Sequence, residues 1–149
     1  PDAALEVTPL HPGGGTVRTD WFTTTNEGAH PRLHWDVSAV NPHFLALLLP
    51  RTDTVPRPRP APLAVPDGAG TGVRVDWTDA QDIALFGTGE RAVHGLETDA
   101  AAVFLRLRQG RPSAWLVCDG TRLAWRGTVL CAQPQPGNYA HVPDADSTR

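Results

Sequence analysis

Apolar residues alternate with polar ones over short segments of this chain, and this pattern limits its possible folds more than any other feature. The segments are rich in Val, Leu, Trp, Phe and Thr and recur between turn residues. Nowhere do apolar residues keep the i, i+3, i+4, i+7 spacing of an amphipathic helix over a dozen positions. The sequence therefore predicts an all-β fold, and about ten short strands in evenly spaced hairpins favour an antiparallel β-sandwich.

The domain organisation follows from length and from the placement of proline. A chain of 149 residues fits one domain with one core, so we expect one β-sandwich domain over residues 1–149. Residues 51–72 are dominated by Pro, Arg, Ala and Gly, which predicts a polyproline-like loop because proline lacks a backbone donor. Residues 133–149 are polar and contain proline, and we expect a loosely ordered tail there.

Two further segments carry local predictions. Residues 43–49 are apolar on both faces, which is typical of a central strand covered on both sides. Asp119-Gly120 is a dipeptide that suits the two-residue turn of a β-hairpin. We therefore expect a chain reversal at this dipeptide.

The charge and hydropathy of the chain argue against several classes of partner. The formal net charge is −3, so no field attracts nucleic acid. The longest apolar stretch, Phe44 to Leu49, is far shorter than the roughly 20 residues that a membrane helix needs. We expect neither a nucleic-acid nor a membrane partner.

The origin and cellular location of the chain are only partly constrained. All basic residues are Arg and Met is absent, which favours a GC-rich bacterial gene and a piece of a longer protein. A periplasmic, secreted or cytoplasmic location stays open. Cys118 and Cys131 lack the neighbouring Cys or His of a zinc knuckle, and they are either one disulfide or two buried thiols.

The polar face of the third predicted strand is the main candidate site. His30, Arg32, His34 and Asp36 project from one face because successive strand residues point to opposite sides. Three interpretations are open: a solvated strand face, contact with an acidic saccharide through the Arg32 fork and the imidazoles, or a divalent metal held by His30, His34 and Asp36. No other cofactor is expected.

The five tryptophans offer a possible platform for a sugar ring. Trp35 and Trp77 lie on the apolar faces of their strands and are expected in the core. Trp125, next to Arg126-Gly127, is the best candidate for an exposed ring and joins the predicted substrate-binding residues. No serine lies in a Gly-x-Ser-x-Gly elbow and no glycine run has the features of a phosphate loop, so we assign no catalytic residue.

Four short motifs follow one another within residues 16–132: Arg32-Leu33-His34-Trp35, the run from His43 to Pro50, Asp82-Ile83-Ala84-Leu85-Phe86, and the run from Cys118 to Leu123. In this order they resemble the C-terminal β-sheet domain of heparinase II/III-like polysaccharide lyases. This resemblance implies a β-sandwich that follows an α/α-toroid domain, with acidic polysaccharide held between the two. The catalytic residues of that family lie mostly on the toroid.

The resemblance implies a non-catalytic module of a bacterial polysaccharide lyase, which gives structural support or contacts an acidic saccharide. Its expected partners are an acidic polysaccharide and the toroid domain. Whether the parent chain is an enzyme stays uncertain at this point. The alternative is a free-standing carbohydrate-binding or cell-surface interaction domain without a lyase partner.

Overall fold

The computed structural model describes residues 4–25, 28–40, 44–51, 56–68 and 70–143, and it is all-β. All of its strand pairs are antiparallel, which confirms the predicted fold class, while the sandwich arrangement of sheets stays a prediction. The strands are β1 (Ala4–His11), β2 (Thr16–Thr24), β3 (Gly28–Asp36), β4 (Leu45–Arg51), β5 (Arg59–Leu63), β6 (Gly70–Asp76), β7 (Ala80–Gly87), β8 (Arg91–Val93), β9 (Leu96–Thr98), β10 (Ala102–Arg108), β11 (Arg111–Trp125) and β12 (Thr128–His141).

The strands form sheets of very different size. The largest has eight strands in the order β5-β6-β7-β10-β11-β9-β8, with β12 also paired to β11, and it curls into a nearly closed, barrel-like sheet. β1 pairs with β4. β2 pairs with β3 along its whole length, and we call this pair the β2–β3 ribbon.

The main core is built from the apolar faces of the large sheet. Val103, Leu105 and Leu107 alternate along β10 and are all buried. Between them, Arg106 and Arg108 point the other way. The largest completely enclosed side chains of this core are Ile83, Leu85, Leu96, Leu105, Val117 and Leu123.

A smaller core joins the β1–β4 pair to the edge of the large sheet. Leu10, Val73 and Val75 are buried together, and Leu45, Leu47 and Trp77 pack against them from their margins. Trp77 is therefore only half-buried, and so is Trp35. The expectation that both tryptophans are core residues is met in part.

The prediction of a central strand at residues 43–49 is wrong for the part that the structure describes. β4 lies in a pair with β1, not inside a larger sheet, and the side chain of Leu48 is 57% exposed. Of the two apolar faces of β4, one packs on the smaller core and the other is exposed. Residue 43 lies outside the described residues.

The proline-rich segment 51–72 is not all loop, which corrects the sequence prediction. Arg59–Leu63 forms β5, whose register runs from Arg59 opposite Asp76 to Leu63 opposite Gly72. β5 is the edge of the large sheet, where a strand needs to pair on one side only. Proline is tolerated at such an edge because its missing N–H can face away from the neighbouring strand.

Asp119-Gly120 does not form the predicted hairpin turn. β11 runs continuously from Arg111 to Trp125, and the register slips between Val117 and Gly120, which makes the dipeptide a β-bulge. Asp119 has a positive φ of 51°, which bends the strand without reversing it. A Cβ on Gly120 would clash with Ala100, so the glycine lets β11 lie close to the link between β9 and β10.

The predicted loose tail is wrong over its first half. β12 extends to His141 and pairs with β11 from Trp125 back to Trp115. The long bent β11 supplies a partner for this polar segment, so residues 133–141 need no apolar pattern of their own. Residues 144–149 lie outside the described residues.

Both cysteines are free thiols. Cys131 is buried, and this burial raises the pKa of its thiol, with the negative charge of Asp99 acting in the same direction. No helix among the described residues has the length and apolar composition to cross a membrane.

Candidate functional site

The β2–β3 ribbon places the predicted site residues on one face. The register sets Asp36 opposite Thr16, His34 opposite Arg18, and Arg32 opposite Asp20. Because directly opposed residues of an antiparallel pair share a face, the polar side chains of both strands converge. We call the cluster Arg18, Asp20, Arg32, His34 and Asp36 the polar ribbon face.

Asp20 is the centre of the polar ribbon face. Arg32 donates to it through Nε and Nη2, at 2.9 and 2.8 Å from Oδ1 and Oδ2. The Nε2 atom of His34 lies 3.1 Å from Oδ2 of the same carboxylate. The Arg32 guanidinium, helped by His34, holds the pKa of Asp20 far below its usual range, and Asp20 in turn raises the pKa of Arg32.

A second ion pair extends the cluster along the ribbon. Arg18 donates from Nε to Asp36 at 3.1 Å, and its Nη2 lies 3.3 Å from Nδ1 of His34. The neutral tautomer of His34 that carries its proton on Nε2 satisfies both of its contacts, since Nδ1 then accepts and Nε2 donates. The two arginines and two aspartates balance in charge, so the face is polar without being strongly charged.

Sequence reasoning missed the contributions of β2 to this cluster. Arg18 and Asp20 alternate along β2 as the predicted residues do along β3, and an antiparallel pairing of these two consecutive strands sets them face to face. The predicted Arg32 fork is thus directed at Asp20 within the chain. An acidic ligand would have to share or displace that carboxylate.

His30 lies apart from this hydrogen-bonded cluster, at the far end of the ribbon. It is exposed and stands opposite Phe22, near the turn. Within the described ranges, no three His, Cys, Asp or Glu side chains are grouped so that they could hold a metal ion. His34 and Asp36, the other two proposed ligands, contact Arg18 and Asp20 instead.

The end of the ribbon at Thr24 and Gly28 carries two exposed aromatic rings. Trp21 is 70% exposed and Phe22 is 50% exposed, and as neighbours in a strand they project to opposite faces. The guanidinium carbon of Arg32 lies 5.6 Å from the centroid of the Phe22 ring, within cation–π range. An aromatic surface and a set of hydrogen-bonding groups therefore occupy one ribbon.

The prediction that Trp125 is exposed is wrong. Its side chain is only 5% exposed, because this end of β11 lies in the main core. Arg126 covers the indole, with its guanidinium carbon 5.0 Å from the ring centroid. Trp21, whose strand looked no different by composition, is the exposed tryptophan.

Trp125 and Arg126 also line a cavity of about 540 Å³ at one end of the large sheet. Trp77 lines the same cavity from the β6–β7 turn, and Gln109 lines it from the β10–β11 turn. Trp125 therefore borders a cavity despite being mostly buried. The cavity forms where three turns between strands lie close together in the folded chain.

A second cavity, of about 350 Å³, lies beside β8 and β9 and is rich in charge. Arg91, 6% exposed, donates from Nη1 to the Gly89 carbonyl at 3.1 Å and from Nη2 to the Ala100 carbonyl. Burial lowers the pKa of Arg91, although the charge of Asp99 opposes that shift. Its main-chain contacts tie the ends of the β8–β9 hairpin together.

Asp99 anchors the same region to β11. It accepts hydrogen bonds from the amides of Thr121 and Arg122 at 2.9 and 2.8 Å, and from the Thr121 hydroxyl. Burial alone would raise the pKa of Asp99, but these donors hold it below its usual range. Because all its contacts hold β11 just after the bulge, we interpret Asp99 as a structural residue.

Comparison with known proteins assigns no family: no protein-family model matches the chain, and no curated protein matches it significantly. The resemblance to heparinase II/III-like lyases accordingly stays a prediction. The function has to be inferred from the side chains of this protein.

Proposed function

We propose that this chain is a non-catalytic β-sheet module that contacts an acidic polysaccharide through the β2–β3 ribbon, as an accessory part of a bacterial heparinase II/III-like polysaccharide lyase. The observation that carries the proposal is the 70% exposure of Trp21, which projects from the side of the ribbon opposite the polar ribbon face. Sugar rings present C–H faces that pack on an aromatic plane. A saccharide chain that stacks on Trp21 and crosses the edge of the two-stranded ribbon would bring its hydroxyls and acidic groups to the donors and acceptors of the polar ribbon face.

The arginines of the ribbon support contact with acidic groups. The side chains of Arg18 and Arg32 are 55% and 48% exposed even though both are engaged by aspartates. Guanidinium donors that stay exposed can also bind a carboxylate or sulfate of a ligand. Because Asp20 and Asp36 balance their charge, the affinity should be moderate and should fall as salt is added.

The experiment is a calorimetric titration of the 149-residue protein with a uronate-bearing hexasaccharide, next to an uncharged hexasaccharide of equal length. We expect the acidic sugar to bind more tightly. Trp21→Ala should weaken binding by about tenfold, the equivalent of about 1.4 kcal/mol, while Trp21→Phe should keep most of it. Val129→Ala is the control, since Val129 is another exposed apolar side chain, at 53%, on β12.

Equal affinities of the wild-type protein and Trp21→Ala would contradict the role of the ribbon, and so would the absence of binding to either sugar. The proposed parent lyase has its own test. An antibody to this domain should detect a polypeptide several times larger than 16.0 kDa in lysate of the source cells. A band near 16.0 kDa would contradict the accessory-module part of the proposal.

A second candidate function, a cell-surface interaction domain, is favoured by the other face of the ribbon. Val17 and Leu33 are 45% and 43% exposed there and lie on the same side as Trp21. Such a face suits a protein partner as well as a sugar. This candidate predicts that Leu33→Ser leaves saccharide affinity unchanged and abolishes binding to that partner.

A further inference from the structure

Two cavities meet at Trp77, at the end of the large sheet where β6 turns into β7. The larger, of about 540 Å³, extends towards Trp125 and Arg126. The smaller, of about 210 Å³, extends towards Arg106 and Arg108 of β10. Trp77 lines both cavities and is shared by them with Asp79 and Ala80 of the same turn.

The indole of Trp77 is held in a fixed orientation. Its Nε1 donates to Oδ2 of Asp82 at 2.8 Å, and its backbone amide donates to the Ala80 carbonyl at 2.9 Å across the turn. Asp82 is itself fixed, because Nε and Nη2 of Arg106 donate to its two oxygens, both at 2.7 Å. A ring that is already oriented loses little conformational entropy when a ligand stacks on it.

The charges around Trp77 favour an anionic ligand. Asp76, Asp79 and Asp82 all form ion pairs, with Arg74, Arg108 and Arg106 respectively. Arg126 adds a fourth arginine against these three aspartates, and no carboxylate of the described residues forms an ion pair with it. Four arginines against three aspartates leave one positive charge in excess at this end of a protein of net charge −3, although Asp76 and Asp79 line the larger cavity beside Arg126.

Two of these arginines keep donors free for a ligand. Arg126 is exposed, and its guanidinium carbon lies over the Trp125 ring, a contact that does not occupy its N–H groups. Arg108 is 57% exposed, and its Nη1 lies 3.7 Å from Asp79, too far for a hydrogen bond. Of these two arginines, Arg126 borders the larger cavity and Arg108 borders the smaller one.

We propose that this end of the sheet is a second binding site for an acidic glycan. One sugar ring stacks on Trp77, and carboxylate or sulfate groups of the neighbouring sugars are bound by Arg126 in the larger cavity and by Arg108 in the smaller one. The site rests on the proposed function for its ligand class, but it uses a different sheet and none of the ribbon residues.

Titration with a sulfated uronate hexasaccharide tests this site through a matched pair of charge variants. Arg126→Gln should weaken binding by about tenfold, the loss of one charge-assisted hydrogen bond of about 1.4 kcal/mol. Arg122→Gln is the control, because Arg122 is also exposed, at 54%, and its loss changes the net charge equally. Arg122→Gln should change the affinity less than twofold, about 0.4 kcal/mol.

The indole N–H signal of Trp77 in a two-dimensional NMR spectrum reports the site directly and should shift during the same titration. Equal effects of the two arginine variants, or a Trp77 signal that stays in place, would overturn this proposal. A shift of the Trp77 signal with no shift of the Trp21 signal would support it and contradict the ribbon. The reverse pattern would overturn it and leave the ribbon standing.

Discussion

Arg32 and Asp20 form a two-point contact across the β2–β3 ribbon, with Nε to Oδ1 at 2.9 Å and Nη2 to Oδ2 at 2.8 Å. Through this contact Arg32, which lies between two histidines in the sequence, belongs to a charge-balanced cluster. The contact keeps the arginine oriented and Asp20 ionised. The ribbon therefore offers a fixed array of donors and acceptors beside the exposed ring of Phe22, with Trp21 on its opposite face.

The pH dependence of the ribbon follows from this contact. Because the pKa of Asp20 is depressed in the folded chain, the pair stabilises the ribbon above the ordinary aspartate pKa of about 3.9 and loses this effect as the pH falls through the folded value. We expect the Asp20 carboxyl carbon, followed by NMR, to titrate well below the ordinary range. Arg32→Gln should move it upward, and Arg57→Gln should not. An ordinary Asp20 titration in the wild-type protein would contradict the contact.

Asp82 should matter far more to stability than Asp79. Asp82 is 7% exposed and accepts from Arg106 and Trp77, whereas the side chain of Asp79 is 72% exposed. Asp82→Asn should lower the free energy of unfolding by about 2 kcal/mol. This loss is smaller than that for a fully buried ion pair, because Arg106 is partly solvated. Asp79→Asn should change it by less than about 0.5 kcal/mol. Urea unfolding measures both, and equal losses would contradict the role of Asp82.

Truncation of a buried leucine should destabilise the protein more than truncation of an exposed leucine in the same strand. Leu123 is 0% exposed and Leu116 is 40% exposed, and both lie on β11. Leu123→Ala should cost about 2–5 kcal/mol of unfolding free energy, because it removes buried contacts and leaves a cavity. Leu116→Ala should cost about 1 kcal/mol or less. Thermal unfolding compares the two, and a larger loss at Leu116 would place the core on the wrong face of β11.

The bulge at Asp119-Gly120 depends on the absence of a side chain at Gly120. A Cβ there would meet Ala100 of the link between β9 and β10, so Gly120→Ala should destabilise the protein by about 1–3 kcal/mol. Ala100→Gly in the same chain should restore little of the loss, since the Cα and amide nitrogen of residue 100 would still lie 2.5 and 3.0 Å from the added Cβ. Urea unfolding measures the single and the double variant, and a Gly120→Ala protein as stable as the wild type would contradict the close approach.

The sequence predicted strands wherever one face is apolar. The alternation along β3, β6 and β10 was sufficient because side chains in a strand point to opposite sides in turn. The alternation did not predict the local structure where pairing with another strand determines it. β12 is ordered by pairing with β11, and the dipeptide Asp119-Gly120 is a bulge because β11 is held on both sides.

The sequence predicted the β3 residues of the candidate site but not the β2 residues, again because the pairing of strands decides the outcome. The side chains on β3 could be read from one strand, but Arg18 and Asp20 join them only through the register of the ribbon. The exposure of Trp21 and the burial of Trp125 are decided by where each strand lies relative to the core. Composition around each tryptophan carries no such information.

The most direct test of the central claim is the indole region of an NMR spectrum of the wild-type protein, recorded while an acidic hexasaccharide is added. The chain has five tryptophans, each of which can be assigned by a single Trp→Phe variant. If the ribbon contacts saccharide, the Trp21 signal shifts and saturates while that of the buried Trp125 stays in place. A Trp21 signal that does not move at millimolar sugar would contradict the account.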